Sequence, residues 1–342
     1  MKKKTIRQKG AASVRGLFAP IALLVLSAFV LLAFRKEEFD GQALVAGGVL
    51  LVLLYGSYRM FCGVYPECDR HLLIIVDLLI AVGIIVQYRI APDTALKQLL
   101  SIGIGIVAMF VAALLFSDTE RLKSRALCYL LMAGSVGLLA LPLVFGDEQY
   151  GAKNWIDLGF FSLQPSELIK VVLVFVLASF LAEKTRLRDL WLPGVFLAAL
   201  LGLLMLERDL GAVLIFFGAT IAVYYAATGN KLVVGGGIVA SGAAAYLCYV
   251  LFPHVRVRVQ ACQNPWADYY DSGYQVAQGL MAIASGGLFG MGLGMGTPQS
   301  IPAYDTDYIF AVICEEFGII FGLCVVALYV LFLLRGLSTA FQ

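Results

Sequence analysis

Residues 308–334 read YIFAVICEEFGIIFGLCVVALYVLFLL, a run whose only charged side chains are Glu315 and Glu316. A bilayer-spanning helix needs roughly 20 predominantly apolar residues, so this stretch can cross a membrane with residues to spare. It lacks the period-2 alternation of a half-buried strand. Nine further runs of the same character lie upstream, near 17–34, 43–61, 71–90, 98–116, 126–145, 167–182, 190–206, 211–228 and 232–252. The 342-residue chain is 61% hydrophobic and 14% charged, whereas a soluble domain is about half apolar and roughly a quarter charged. Such a chain cannot cover a water-facing surface, which excludes soluble enzymes, nucleic-acid binders and disordered proteins. Continuous apolar runs also exclude the outer-membrane barrel. The sequence predicts an all-α polytopic membrane protein of about ten transmembrane helices, with two long extracytoplasmic loops near 146–166 and 253–307.

Charge placement orients the chain. Residues 1–16 form a basic N-terminus carrying Lys2, Lys3, Lys4, Arg7, Lys9 and Arg15. If that segment is cytoplasmic, sixteen basic residues fall inside and eight outside, the eight being Arg35, Lys36, Arg89, Lys97, Lys153, Arg208, Arg256 and Arg258. A two-to-one bias supports cytoplasmic termini, with a short tail over 336–342. The first apolar run is about 18 residues long and lacks a small-x-small cleavage site, so it reads as a retained anchor rather than a signal peptide. The seven cysteines show no framework: Cys62 and Cys68 share an inner turn without zinc-site histidines, and Cys262 alone falls in an external segment.

The loops hold the polar residues that could carry chemistry. In the first, Trp155 fits either an interfacial aromatic belt or a substrate contact. Pro165, Ser166 and Glu167 suit a helix start. Lys170, about one turn further on, pairs most simply with Glu167, in a structural or a catalytic role. Glu207, Arg208 and Asp209 make either a tight charged turn or part of a polar cavity. In the second loop, six glycines between 286 and 296 permit an anion-binding backbone or a re-entrant segment. Asp305 or Thr306 can cap the last helix and place Asp307 in its first turn. Glu315 and Glu316 would then lie about 12 Å deeper, where ionisable groups usually have a purpose. Asp77, in the third span, is a further buried acid.

Taken together these stretches resemble the SEDS family (shape, elongation, division and sporulation) of bacterial cell-wall polymerases, the RodA, FtsW and SpoVE type. The resemblance runs from about residue 70 to 335, leaving residues 17–69 as two additional N-terminal helices. It rests on Gly151-Ala152-x-x-Trp155-Ile156 with Gln164-Pro165-Ser166-Glu167, and on Asp209-Leu210-Gly211. It rests further on Tyr274-Gln275, Ser285-Gly286-Gly287, Gly292-Leu293-Gly294, and Thr306-Asp307-Tyr308-Ile309-Phe310-Ala311 through Glu315-Glu316-x-Gly318. Three departures stand out. Ala303 follows Pro302 where the family has glutamate, the stretch between Gly294 and Pro302 is short, and Met291 replaces a position often basic. The resemblance also implies two further spans after Gln342 that this sequence does not carry.

The resemblance implies a peptidoglycan glycosyltransferase of the bacterial cytoplasmic membrane that polymerises lipid II on the outer face. Its implied partner is a class B penicillin-binding protein, the transpeptidase that crosslinks the new strand. The family's essential acid maps onto Asp307 and its loop tryptophan onto Trp155. Lys153, Arg208, Asp209, Arg256, Arg258, Gln275, Ser285 and Thr306 are candidate substrate contacts, with Glu167, Lys170, Glu315 and Glu316 as buried polar support. No ligand cluster in the sequence demands a metal, although a divalent cation (Mg or Mn) bridging Asp307 and a pyrophosphate fits the chemistry. Two other readings stay open: a lipid II flippase using Asp77, Lys170, Glu315 and Glu316 as a polar path, and a non-catalytic scaffold for cell-wall assembly.

Overall fold

A computed structural model describes residues 2–35, 39–116, 124–149, 152–157, 162–182 and 190–340. Lys36, Gly151 and Gln342, named above, and Arg121, Lys123, Lys184, Arg186 and Arg188, which are among the sixteen inner basic residues, lie outside the described residues. The regular structure of the described chain is helical apart from three short strands, and its contacts divide it into two units.

The first unit comprises residues 1–112 and 252–342. It contains α1 (Lys2–Ala33), α2 (Gly41–Val64), α3 (Arg70–Ile90), most of α4 (Pro92–Phe116), α10 (Pro253–Gln263), α11 (Tyr274–Gly286) and α12 (Ile309–Ala340). The second, residues 113–251, contains α5 (Arg125–Phe145), the strands β1 (Asp147–Gln149), β2 (Ala152–Asp157) and β3 (Ser162–Leu163), then α6 (Pro165–Leu181), α7 (Trp191–Leu206), α8 (Leu210–Thr228) and α9 (Lys231–Leu251).

Among the described residues seven helices, α2–α5, α8, α9 and α12, are long and apolar enough to span a bilayer. Phe18–Ala33 of α1 and Trp191–Leu206 are shorter apolar helices, and α6 is equally apolar apart from Glu167 and Lys170. These elements answer to the ten expected spans. Their ends follow local chemistry. Asp40, Asp69 and Asp209 accept backbone N–H bonds at the starts of α2, α3 and α8, satisfying donors that a helix start leaves orphaned. Gly229, at φ 63°, closes α8 in the left-handed region. Pro92 and Pro165 stand at first helical positions, where a missing N–H costs nothing; α4 therefore starts six residues before the expected 98.

Each unit has its own apolar core. Phe29, Leu50, Leu54, Ile84 and Ile85 are fully buried in the first, as are Leu139, Leu173, Leu200, Leu204 and Phe216 in the second. The two long loops are not irregular. Residues 146–166 contain an antiparallel sheet of order β1-β2-β3, with Asp147 opposite Trp155 and Ile156 opposite Leu163. Residues 253–307 contain α10 and α11.

The feature that organises the first unit is a break in α12. Gly318 has φ 86° and ψ 164°, far from helical values, so the usual i→i−4 ladder is interrupted there. The freed groups exchange bonds with the glycine-rich segment after α11. Met291 N–H donates to the Glu315 carbonyl at 2.9 Å and Gly292 N–H to the Glu316 carbonyl at 2.9 Å. In return Ile319 N–H donates to Gly287 at 3.0 Å and Ile320 N–H to Leu288 at 3.4 Å. In a lipid environment every such group must be satisfied internally, and this exchange satisfies four. A side chain at Gly318 would meet the backbone of Leu288 through Gly290. Gly318→Ala is expected to lower the detergent-solubilised unfolding midpoint by several degrees, from about 1–3 kcal/mol of strain. Gly48→Ala, whose added methyl meets nothing within 4 Å, is expected to leave the midpoint unchanged or raise it.

Candidate functional site

Asp307 sits in a turn over residues 302–308, immediately before α12. The expected arrangement, with Asp305 or Thr306 as cap and Asp307 in the first helical turn, does not form. Tyr308 takes the boundary position, its carbonyl accepting from Ala311 N–H at 2.9 Å. The turn closes on itself: Tyr308 N–H and Thr306 N–H both donate to the Ala303 carbonyl, at 3.1 and 3.2 Å, and Ala303 adopts φ 54° to allow it. A non-glycine residue in that region carries strain.

Two residues of α11 hold the turn in place. Gln275 Nε2 donates to the Pro302 carbonyl at 3.3 Å. Gly279 lies under the Tyr308 ring, which a Cβ on Gly279 would approach to 2.6 Å. Asp307 and Thr306 remain exposed. Arg256 and Arg258 are exposed on α10 of the same unit, while Ser285 Oγ donates to the Ala282 carbonyl of its own helix at 2.8 Å.

Further along α12, Glu315 and Glu316 are 3% and 1% exposed. Buried carboxylates require partners, and the glycine-rich segment supplies them. Gly294 N–H donates to Glu316 Oε2 at 2.9 Å, and Thr297 N–H donates to Glu315 Oε1 at 3.1 Å. Arg89 of α3 lies 3.0 Å from Glu316 Oε1 with both side chains almost fully buried. That contact is an ion pair without hydrogen-bond alignment: Arg89 Nη2 donates instead to the Gly294 and Gly296 carbonyls at 3.2 and 3.0 Å. A Cβ on Gly296 would lie 2.7 Å from Glu315 Oε2. The anions that the glycine stretch binds are therefore the protein's own glutamates. Arg89, assigned by charge counting to the exterior, is a buried partner of Glu316.

In the second unit, Asp209 gathers the polar residues of the first loop. Its Oδ2 accepts from Asn154 Nδ2 and Gln164 Nε2, each at 3.0 Å, and its Oδ1 accepts from Ala212 N–H at 2.9 Å. Lys153 N–H donates to the Glu207 carbonyl at 3.2 Å. Strand alternation puts exposed Lys153 and half-buried Trp155 on the face of β2 opposite Asn154. Arg208 is exposed at φ 63°. Lys170 Nζ meets Glu167 Oε1 at 2.7 Å on a partly exposed surface, so the two neutralise each other rather than forming buried support.

Sequence reasoning marked Glu207 only as one of three adjacent charges and missed its burial. It is 1% exposed and its Oε1 receives no hydrogen bond. Burial, and secondarily the Asp209 carboxylate, push it up to about 7 from an ordinary 4.5. Three charges in succession marked the turn but not which one turns inward. Asn154 and Gln164 were visible only as neighbours of Trp155 and Pro165, with nothing local to connect them to Asp209.

Fold and site define a multi-pass helical membrane protein with an exposed carboxylate in a braced turn. The comparisons with known proteins bear on the family and the fold. A family model of cell cycle proteins of the FtsW, RodA and SpoVE type matches residues 69–342, and the chain belongs to that family. The peptidoglycan glycosyltransferase RodA of Mycobacterium bovis is 31% identical, over 93% of this chain and 74% of its own length. Stage V sporulation protein E of Bacillus subtilis is 34% identical, over 80% of this chain and 79% of its own. Among solved structures, a chain of a peptidoglycan synthase complex, in which polymerization and crosslinking are coordinated, superposes with a TM-score of 0.63. It is 31% identical over 79% of this chain and 77% of that one.

Two predictions follow from the geometry. Arg89→Ala removes the guanidinium paired with buried Glu316 and is expected to cost about 3–5 kcal/mol; Arg89→Met combined with Glu316→Leu should cost less than Arg89→Ala alone, by thermal unfolding. Separately, folded Glu207 keeps a proton that the unfolded chain releases above its ordinary value. Stability should therefore fall as pH rises from 4.5 to about 7. Glu207→Gln is expected to flatten that slope in unfolding midpoints measured at several pH values.

Proposed function

We propose that this chain polymerises lipid II into glycan strands on the outer face of the bacterial cytoplasmic membrane, with a class B penicillin-binding protein as its partner. The observation that carries the reading is Asp307: an exposed carboxylate on a turn braced by Gln275 and by the contact between Tyr308 and Gly279. Glycan growth requires a sugar 4-hydroxyl to attack the anomeric carbon of a second, lipid-linked sugar. The new C–O bond forms as the bond to undecaprenyl pyrophosphate breaks, and the hydroxyl proton passes to Asp307. A carboxylate held at a fixed position can act as that base. Its placement on a braced turn supports orientation of the hydroxyl without rearrangement.

The leaving pyrophosphate gains negative charge and needs cations. Arg256 and Arg258 are exposed in the unit that carries Asp307, and Lys153 and Arg208 are exposed in the second unit. Among the described residues no three His, Cys, Asp or Glu side chains converge to hold a metal ion, so a divalent cation here would be one that Asp307 shares with the substrate's phosphates. The orientation, with the N-terminus in the cytoplasm, draws on the distribution of basic residues, which strengthens once Arg89 is removed from the exterior set. The flippase reading loses support because two members of its polar path are paired, Glu316 with Arg89 and Lys170 with Glu167.

Purified protein with its partner and lipid II tests the proposal. Asp307→Asn is expected to reduce polymer formation by two orders of magnitude or more, in line with loss of a general base contributing about 10²–10⁴-fold, with expression and unfolding midpoint unchanged. Undiminished polymerisation by this variant would remove Asp307 from the reaction.

A further inference from the structure

We propose that the middle of α1 and the ends of α2 and α3 around Arg59 and Arg70 form a binding site for the headgroup phosphate of an anionic phospholipid. A cavity of about 510 Å³ opens there, lined by Phe18, Tyr55, Tyr58, Arg59, Cys62 and Arg70. Its size falls within the range of small-molecule sites. Of these six, all but Arg70 precede residue 69, where the family match begins. The site is also remote from Asp307 and the glycine-rich segment. Arg70 opens α3, whereas Arg89, near its other end, reaches Gly294 and Glu316. The 21 residues of α3 put about 30 Å between its ends.

Two guanidinium groups at one cavity call for negative charge. Among the described residues neither Arg59 nor Arg70 has a carboxylate within ion-pair distance. The nearest acid in sequence, Asp69, is committed elsewhere. It accepts from His71 N–H and Leu72 N–H at the start of α3, from Thr339 Oγ1 at 3.0 Å, and pairs with Arg335 Nε at 2.9 Å. Glu67, in the same turn, is exposed and makes no ion pair with either arginine. Arginine forks fit phosphate oxygens in bidentate fashion.

The remaining lining selects a lipid over a soluble anion. Phe18 packs against Tyr55 and Tyr58, ring centroids 5.2 and 6.4 Å apart, giving the phosphate site an aromatic wall. Tyr55 is half exposed, and Val52, one turn away on the same helix, is 73% exposed. In a chain that spans a bilayer, such apolar side chains face acyl chains. The cavity thus sets two guanidinium groups beside side chains that face the lipid, the layout that accommodates a charged headgroup with its tails left in the membrane. Phe18, in the wall of the cavity, also follows in sequence the basic stretch that begins α1.

Cys62 supplies the readout, since it lines the cavity. The full chain is placed in nanodiscs of phosphatidylglycerol or phosphatidylcholine and modified with a maleimide, the Cys62 rate being normalised to that of exposed Cys262 by peptide mass spectrometry. Phosphatidylglycerol is expected to slow Cys62 modification about fivefold, as site occupancy requires. Arg59→Gln with Arg70→Gln should abolish the difference between lipids, and Arg59→Lys with Arg70→Lys should weaken it although net charge is kept. Inorganic phosphate added to phosphatidylcholine discs should not protect. Equal rates in the two lipids, protection surviving in the glutamine variant, full protection in the lysine variant, or protection by inorganic phosphate would each overturn the proposal. An unchanged Cys262 rate in each variant reports that the fold persists.

Discussion

A carboxylate cannot remain charged in an apolar interior without a counter-charge and hydrogen bonds, and Glu316 has both. Arg89 approaches it from α3 and Gly294 from the glycine-rich segment, so one side chain fixes three parts of the first unit. The broken helix makes this possible. With Gly318 out of helical conformation, the backbone of α12 exchanges four bonds with residues 287–292, and glycine is needed there because the two backbones run too close for side chains. Helix break and buried ion pair depend on each other: the segment that satisfies the freed backbone groups also presents the N–H and carbonyl groups that solvate Glu316 and Arg89.

The braced turn follows from that framework. α11 leads directly into the glycine segment, and its other end carries Gln275 and Gly279, which hold Pro302 and Tyr308. Asp307 is thus exposed yet anchored through α11 to the most rigidly determined part of the unit. Buried charge pairs contribute little net stability in general. Here the pair's value lies in specificity, since any slip of α12 against α3 would strand two charges in an apolar setting. The second unit repeats the pattern on a smaller scale. Asp209 caps α8 and draws Asn154 and Gln164 onto it, so a loop rich in polar residues becomes a defined sheet.

Much of the fold was legible because the signal is redundant. A span advertises itself through some twenty apolar residues, and a first-turn proline such as Pro165 marks where one starts. Asp307, Glu315 and Glu316 were legible because charge beside or within an apolar run is rare. Long-range pairing was not. Nothing in the sequence around Arg89 tells it from the other basic residues at span ends, and its partner lies more than two hundred positions away. The helices inside 253–307 were hidden because α10 alternates valine with arginine over 255–259 and α11 contains Gly279 and Gly286, although those glycines serve packing. Glu207 was hidden because three adjacent charges do not reveal which one faces inward.

The account stands on Asp307 being the group that receives the acceptor sugar's proton. A solved complex of this chain with its partner and a non-reactive lipid II analogue in the acceptor position tests this directly. The account predicts the acceptor 4-hydroxyl within hydrogen-bond reach of the Asp307 carboxylate, about 2.6–3.2 Å or through one water. A hydroxyl held instead against another acid, with Asp307 turned to solvent, would contradict it.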